Sequence, residues 1–346
     1  MATVDVTVRG AGIFGLSCAW LMVQRGAKVR VIDPFGVGAG SSGGIVGALA
    51  PHTPDRWNTK KAFQFDSLIA AQGFWTAVEA ASGLSAGYAR LGRLQPLVDE
   101  RAVALARARQ ADADENWKGL ATWRVIAAQD VDWAPPTPSG WLVKDTLSGR
   151  VHPMQACQAL AAAITARGGQ ITRDQAPDEG RVLWATGVAG LEALSARLAT
   201  NVGNGVKGQA ALFALDRRDL PQLFCDGVHI VPHADGTTAV GSTSERDYHD
   251  GHSTDALLDA LIVKARALCP DLAQAPVIQR WAGVRPRAKS RAPLLGGWPE
   301  RAGHFVANGG FKIGFGMAPA IATVMADLVL DDLDRVPPEF RFDLPR

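Results

Sequence analysis

The 346-residue sequence predicts an α/β fold in which a Rossmann-like parallel sheet is combined with an α+β part built on an antiparallel sheet. Three observations predict it. Residues 4–32 read as strand, glycine turn, helix and strand. Residues 207–245 alternate apolar and polar side chains around a turn at Asp235 and Gly236. The length exceeds what one ordinary core holds, so two domains are expected.

In the first segment Val4, Val6 and Val8 give a β-rich run. Ile13, Leu16, Trp20 and Val23 then recur at roughly helical spacing, and Val29, Val31 and Ile32 form a second strand. Between strand and helix stands Gly10-Ala11-Gly12-Ile13-Phe14-Gly15, a G-x-G-x-x-G spacing. Gly10 permits a sharp turn, Gly12 a close backbone approach to a pyrophosphate, and Gly15 close packing of helix on sheet. The helix amino terminus offers unpaired N–H groups to the anion. Asp33 follows the second strand, where a carboxylate accepts hydrogen bonds from a ribose diol. The strand, helix, second strand and acid together predict binding of an adenine dinucleotide. Arg9 puts a charge where such a sheet buries apolar side chains, so it requires a partner.

The fingerprint alone does not separate NAD from FAD. After Asp33 and Pro34 comes a glycine- and serine-rich segment, a poor match to the third strand of a nicotinamide domain. Such a loop supplies backbone N–H groups and the Ser41 and Ser42 hydroxyls to a second phosphate, then Gly43, Gly44 and Gly47 against which a flat ring can lie. That suits a flavin. A flexible linker shares the composition, but linkers rarely carry the Ile45-to-Ala50 apolar run that follows.

A net charge of +2 provides no general steering toward nucleic acid or anionic membrane, although Arg285, Arg287, Lys289, Arg291 and Arg301 form a local basic stretch. The four cysteines, at 18, 157, 225 and 269, form no CxxC pair, which argues against a disulfide framework, a zinc ribbon or a thioredoxin-type motif; a reducing cytosol is the simplest home. The apolar run from Gly10 to Val23 is too short for a bilayer and lacks a basic leader, so neither membrane anchor nor signal peptide is expected. His229, His233, His249 and His252 lack a completing carboxylate or cysteine, and no metal is expected.

Five separated pieces, in order, resemble the D-amino acid oxidase superfamily of FAD-dependent amine oxidoreductases, nearest its glycine oxidase and sarcosine oxidase branch. They are the fingerprint, "GSSGGIVGALAP", the stretch 149–171, "VLWATGVAG", and "RWAGVRPRAKSRAPLLGG" with "GGFKIGFGMAPA"; the closing "FRFD" at 340–343 resembles the family's terminal strand. The resemblance implies a Rossmann-like FAD-binding domain (1–82, 146–206, 280–346) interleaved with a smaller substrate domain on an antiparallel sheet (83–145, 207–279). Locally, residues 72–130 carry helical spacing up to a turn cluster at 133–140, and 149–171 reads as a helix and the start of a strand. Residues 317–330 read as a helix with Pro319 near its first turn.

The same resemblance implies that FAD is held by the fingerprint residues, Asp33, Pro34, and Ser41 to Ile45. Ala176, and Ala185, Thr186 and Gly187, would add contacts. A carboxy-terminal loop of Gly310, Phe311, Lys312, Ile313, Gly314, Phe315 and Gly316 would complete the set, its N–H groups facing the flavin's pyrimidine edge, where charge gathers on reduction. No cysteine lies near 282–284, where a covalent link would form, so FAD is expected to be non-covalent.

Arg285 sits where the family places its substrate-carboxylate anchor, a task suited to the guanidinium fork; the alternative is a surface arginine. Lys312 matches a second glycine oxidase arginine and the sarcosine oxidase "GFK" lysine. His229 replaces a substrate-facing tyrosine, or is a satisfied core or surface group. His52 is a further candidate for the same cavity. The implied reaction is oxidation of the C–N bond of a small amino acid or N-substituted glycine, with oxygen or another electron acceptor. The alternatives are a tRNA wobble-uridine-modifying oxidoreductase and a flavoprotein dehydrogenase of a different carboxylate substrate. Sequence leaves the oligomeric state open.

Overall fold

A computed structural model of the chain describes residues 3–341. The first sheet has six strands in the spatial order Leu294–Gly297, His304–Asn308, Arg181–Trp184, Val6–Arg9, Val29–Ile32 and Gln170–Thr172. All but the first run parallel, in register from Val6 opposite Val29 and Arg181. Parallel strands are covered on both faces, which is why Val8, Val31 and Leu183 are fully buried. Helix Ile13–Gln24 packs between helices Gly314–Asp331 and Pro153–Ala166, and helix Thr59–Ser82 packs on the latter two. Enclosure on several sides explains why Leu16, Cys18, Trp20 and Met22 are all buried, so that the helix has no polar face there. Helix Gly314–Asp331 is long and apolar enough to cross a membrane, but most of it is buried in this core.

The second sheet has eight strands in the order Val277–Ala288, Gly203–Phe213, Thr238–Gly241, Val228–Pro232, Gln222–Cys225, Arg93–Pro96, Trp141–Asp145 and Trp123–Ala127. Every pair is antiparallel except Gln222–Cys225 with Arg93–Pro96, which is parallel. Its outer face takes helix Ala256–Leu268, whose Leu258, Ile262 and Ala265 join Ala211, Phe213 and Ile230 in one core cluster. Alternation sends neighbouring residues to the inner face. Trp281 lies opposite Ala210, Ala210 opposite Gly241, Gly241 opposite His229, and His229 opposite Phe224, so these five share that face. Ile45 and Val46 pack on Ala210 and Trp281.

Three local expectations change. The segment 72–130 is not continuously helical: strands Arg93–Pro96 and Trp123–Ala127 interrupt it because their edges are claimed by strand Trp141–Asp145. The last helix begins at Gly314 rather than near Met317, so Pro319 falls in its second turn, where its missing N–H removes an interior hydrogen bond. Phe340 ends a short 3-10 turn, Pro338–Phe340, packed against Phe63 at 4.9 Å; residues 342 and 343 of the proposed terminal strand lie outside the described residues.

Candidate active site

The carboxyl ends of the parallel strands gather the dinucleotide fingerprint and three other segments at one edge, where open α/β sheets place their ligands. Gly10 has φ +108°, and a Cβ there would stand 2.4 Å from the Ala185 carbonyl oxygen. Two turns, at residues 10–12 and 185–187, therefore lie side by side. Gly15 is required by contact: a Cβ would meet the Gly10 carbonyl oxygen at 1.9 Å. Asp33 accepts from the N–H of Ala11 at 2.8 Å and of Phe35 at 3.0 Å, and helps line an open cleft with Ala11, Val37, Thr172 and Arg173. Pro34 leads into that wall.

Several residues expected to touch cofactor also have tasks within the protein. Ser42 Oγ accepts the Ile13 N–H at 3.0 Å, standing in for the side-chain cap that Gly12 cannot supply. A Cβ on Gly43 would lie 2.2 Å from the Gly38 carbonyl oxygen and one on Gly47 1.9 Å from that of Val151, so both glycines are explained by backbone crowding. Ser41, Ser42 and Gly43 form one 3-10 turn, and Gly44 approaches Trp281. The partner that Arg9 required is the short connection before strand Arg181–Trp184: Nε donates to Asp178 Oδ1 at 2.8 Å and Nη2 to the Ala176 carbonyl at 2.6 Å.

The carboxy-terminal loop is tied to the second sheet. Phe311, at φ +44°, donates its N–H to the Pro286 carbonyl at 3.0 Å, and Gly310 bridges to Arg287. Gly310 is pressed on Phe14: a Cβ would lie 2.6 Å from the ring. Ile313 is the N-cap position, and Gly314, Phe315 and Gly316 open the last helix. This tie brings Lys312 near enough to Arg285 to feel its charge.

Arg285 is 8% exposed, and its side chain lies over Gly208, where a Cβ would fall 1.6 Å from Nη2. Nη2 donates to Ser242 Oγ at 2.6 Å, which fixes the guanidinium. Burial pulls the Arg285 pKa down to about 10, against the nearby Glu245 carboxylate. Glu245 is itself engaged by Lys207, Gln209 and Thr243. Lys312 is lowered by desolvation and by the Arg285 charge. The face thus holds two neighbouring cations with no acidic side chain hydrogen-bonded to either among the described residues.

His229 packs its ring 4.5 Å from Phe224, and its Nδ1 is buried with no partner among the described residues. Desolvation first, then Arg93 and Lys312, hold its pKa down at about 3, so the ring is neutral. His52 belongs to a separate arrangement: its Nδ1 and the Gln64 Oε1 are 2.5 Å apart, and the charge it feels is that of Lys61. Arg285, Lys312 and His229 are brought together, and among the described residues His52 is not joined to them by any hydrogen bond or charge contact. Among the described residues no three His, Cys, Asp or Glu side chains cluster as a metal site. Sequence reasoning missed Ser242, which carries no motif, and Arg93, buried in a short strand.

His233 is fully buried beside His152, with ring centroids 4.9 Å apart, and donates from Nε2 to the Ile45 carbonyl at 2.7 Å, pinning the cofactor loop to the second sheet. Burial lowers its pKa to about 4, below the ordinary 6.5. Between these values the unfolded chain binds a proton that the folded chain refuses. Stability is therefore expected to be intact above pH 6.5 and to fall as pH drops toward 4, by up to about 3 kcal/mol. Urea unfolding at pH 7 and pH 4.5 checks this; His233→Gln should flatten the acid slope, and an unchanged slope would refute the assignment.

Residues 5–328 match the family described as DAO, FAD dependent oxidoreductase. The chain belongs to that family. It is 26% identical to a glycine oxidase of Geobacillus kaustophilus across 94% of this chain and 92% of that one. The crystal structure of glycine oxidase from that organism superposes with a TM-score of 0.84 at 21% identity, covering 100% of this chain and 99% of the other. An iminodiacetate oxidase structure from Chelativorans superposes at 0.81 with 20% identity over 96% and 97%. Like its family, the chain is an FAD-dependent enzyme. The edge described above fits the cofactor: two glycine turns and a helix amino terminus whose N-cap residue, Gly12, has no side chain to block a close approach suit a diphosphate, and Asp33 suits a ribose. All four cysteines are free and buried.

Proposed function

We propose that the enzyme oxidises the C–N bond of a small amino acid or N-substituted glycine, giving an imine that water hydrolyses. The observation that carries this reading is the nearness of Arg285 and Lys312, with no acidic side chain hydrogen-bonded to either among the described residues. Bound FAD supplies the hydride acceptor. Arg285 offers its fork to the substrate carboxylate, with Ser242 fixing its orientation, and Lys312 adds a point charge from the opposite loop. The same two charges disfavour an ammonium, so they help present the substrate amine in the neutral form that oxidation requires. Neutral His229 and Phe224 form the wall beside them.

The proposed domains are those expected from sequence, with the eight-stranded sheet as the substrate part; the expected bounds at 206/207 and 279/280 fall inside its strands Gly203–Phe213 and Val277–Ala288, which pair along their whole length, so both strands are assigned to the substrate part. The partners are a carboxylate-bearing amine and oxygen or another acceptor. Four unpaired cysteines support a cytoplasmic location. Anaerobic mixing of the holoenzyme with glycine, sarcosine, D-amino acids and L-proline tests the reaction. Bleaching of the flavin band is expected with at least one, and no bleaching with any amine would refute the proposal.

A further inference from the structure

The inner sheet face holds a second, unused guanidinium. Arg93 is 5% exposed, and it stands opposite Gln222, two residues from Phe224 on the same strand, so its side chain shares the face of Phe224 and His229. Its guanidinium lies 5.7 Å from the Phe224 ring centroid, and its charge is felt at His229 together with that of Lys312. Nε donates to Asp145 Oδ2 at 3.0 Å. Asp145, wholly buried, is otherwise occupied by the Ser148 N–H at 2.8 Å and hydroxyl at 3.0 Å. An arginine serving only an ion pair commonly turns two nitrogens to its carboxylate. Here one nitrogen is used: Nη1 and Nη2 carry no hydrogen bond among the described residues, yet they are not sealed from solvent. His229, whose ring feels the Arg93 charge, has a buried Nδ1 with no partner among the described residues.

We infer that Arg93 and His229 form a second anion subsite, and that the substrate is an amine bearing an anionic group remote from its reacting carbon in addition to its α-carboxylate. This rests on the proposed amine oxidation and names its substrate class. The sheet sets the span. The Arg285 guanidinium ends over Ser242 and Thr243 at the end of the third strand, whereas that of Arg93 ends over Phe224 on the fifth. Two strand spacings separate them, roughly 10 Å. Glycine and sarcosine are too short to reach both. The remote group is a carboxylate or a phosphate-type anion, since the free guanidinium edge suits either. Asp145 serves as a clamp that presents this edge.

The test uses the holoenzyme under anaerobic conditions with N-(ω-carboxyalkyl)glycines of increasing length, the matching N-(ω-phosphonoalkyl)glycines, and N-alkylglycines of equal length as uncharged controls. At the matching length the anionic compounds are expected to reduce the flavin with at least about tenfold higher kcat/KM than the alkyl controls, and the better of the two series identifies the anion. In the double variant Arg93→Gln with Asp145→Asn, which leaves no buried charge unpaired, that preference should vanish while the alkylglycines stay within about twofold. A wild-type enzyme without preference for the anion overturns the inference whatever the variant does. So does a variant that loses activity equally toward both series. Reduction by no amine at all would instead remove the amine-oxidation reading, and this subsite with it.

Discussion

Arg285→Leu is expected to lower kcat/KM toward the amine substrate by two to three orders of magnitude while the protein remains yellow. Arg285 is buried and held by Ser242, and the residual site would offer only Lys312 to the substrate carboxylate. Truncating one member of a desolvated, hydrogen-bonded charge pair costs about 2–5 kcal/mol, and each 1.4 kcal/mol is a factor of ten. The ligand-free fold should not suffer equally. Burial works against this cation, as its lowered pKa records, so leucine removes an unfavourable desolvation and Tm should stay or rise. Flavin content after desalting, anaerobic reduction kinetics and a melting curve separate the effects. Loss of FAD, or kcat/KM within threefold of the parent, would show that Arg285 is not the anchor.

Gly15→Val should have the largest effect on the cofactor side. The first methyl-sized addition at this position overlaps the Gly10 carbonyl oxygen at 1.9 Å, and backbone cannot swing aside as a side chain can. Helix Ile13–Gln24 is enclosed by neighbouring helices, so it must push them outward or leave its strand. Overpacking of this kind costs about 1–3 kcal/mol even where side chains can yield. The expected outcome is protein purified without flavin and a Tm lower by several degrees. Gly73→Ala is the control: that glycine lies inside helix Thr59–Ser82 with nothing within 4 Å of the added carbon, and should gain up to about 1 kcal/mol. A Gly15→Val protein that keeps FAD would refute the packing role.

The fingerprint was legible because its signals are local: a valine alternation, three spaced glycines and an acid lie within 30 residues. The carboxy-terminal loop and Arg285 could be named only through likeness to relatives, since the Phe311 to Pro286 bond that joins them is a tertiary contact. Ser42 shows a limit of another kind. A serine in a glycine-rich loop reads as a phosphate ligand, yet its hydroxyl also satisfies the Ile13 N–H, a capping contact across 29 residues. Arg93 was invisible because "GRLQPL" has no periodic pattern, and only the sheet brings it beside His229. The strands at 93–96 and 123–127 were hidden by alanine-rich helical sequence around them; four- and five-residue strands leave little alternation to read.

The parallel contact between Gln222–Cys225 and Arg93–Pro96 has a kinetic consequence. It is the seam that joins three strands from residues 93–145 to five from 203–288, and the intervening chain is spent on the other sheet. Neither half can close the seam before the ribosome has delivered the second, and contacts so distant in sequence are slow to form. Folding should therefore proceed through a species with the eight-stranded sheet split at this line and the six-stranded sheet still awaiting strands Leu294–Gly297 and His304–Asn308. Its unpaired edges make it prone to aggregate, and excess FAD during expression, by stabilising the native state over it, is expected to raise the soluble yield.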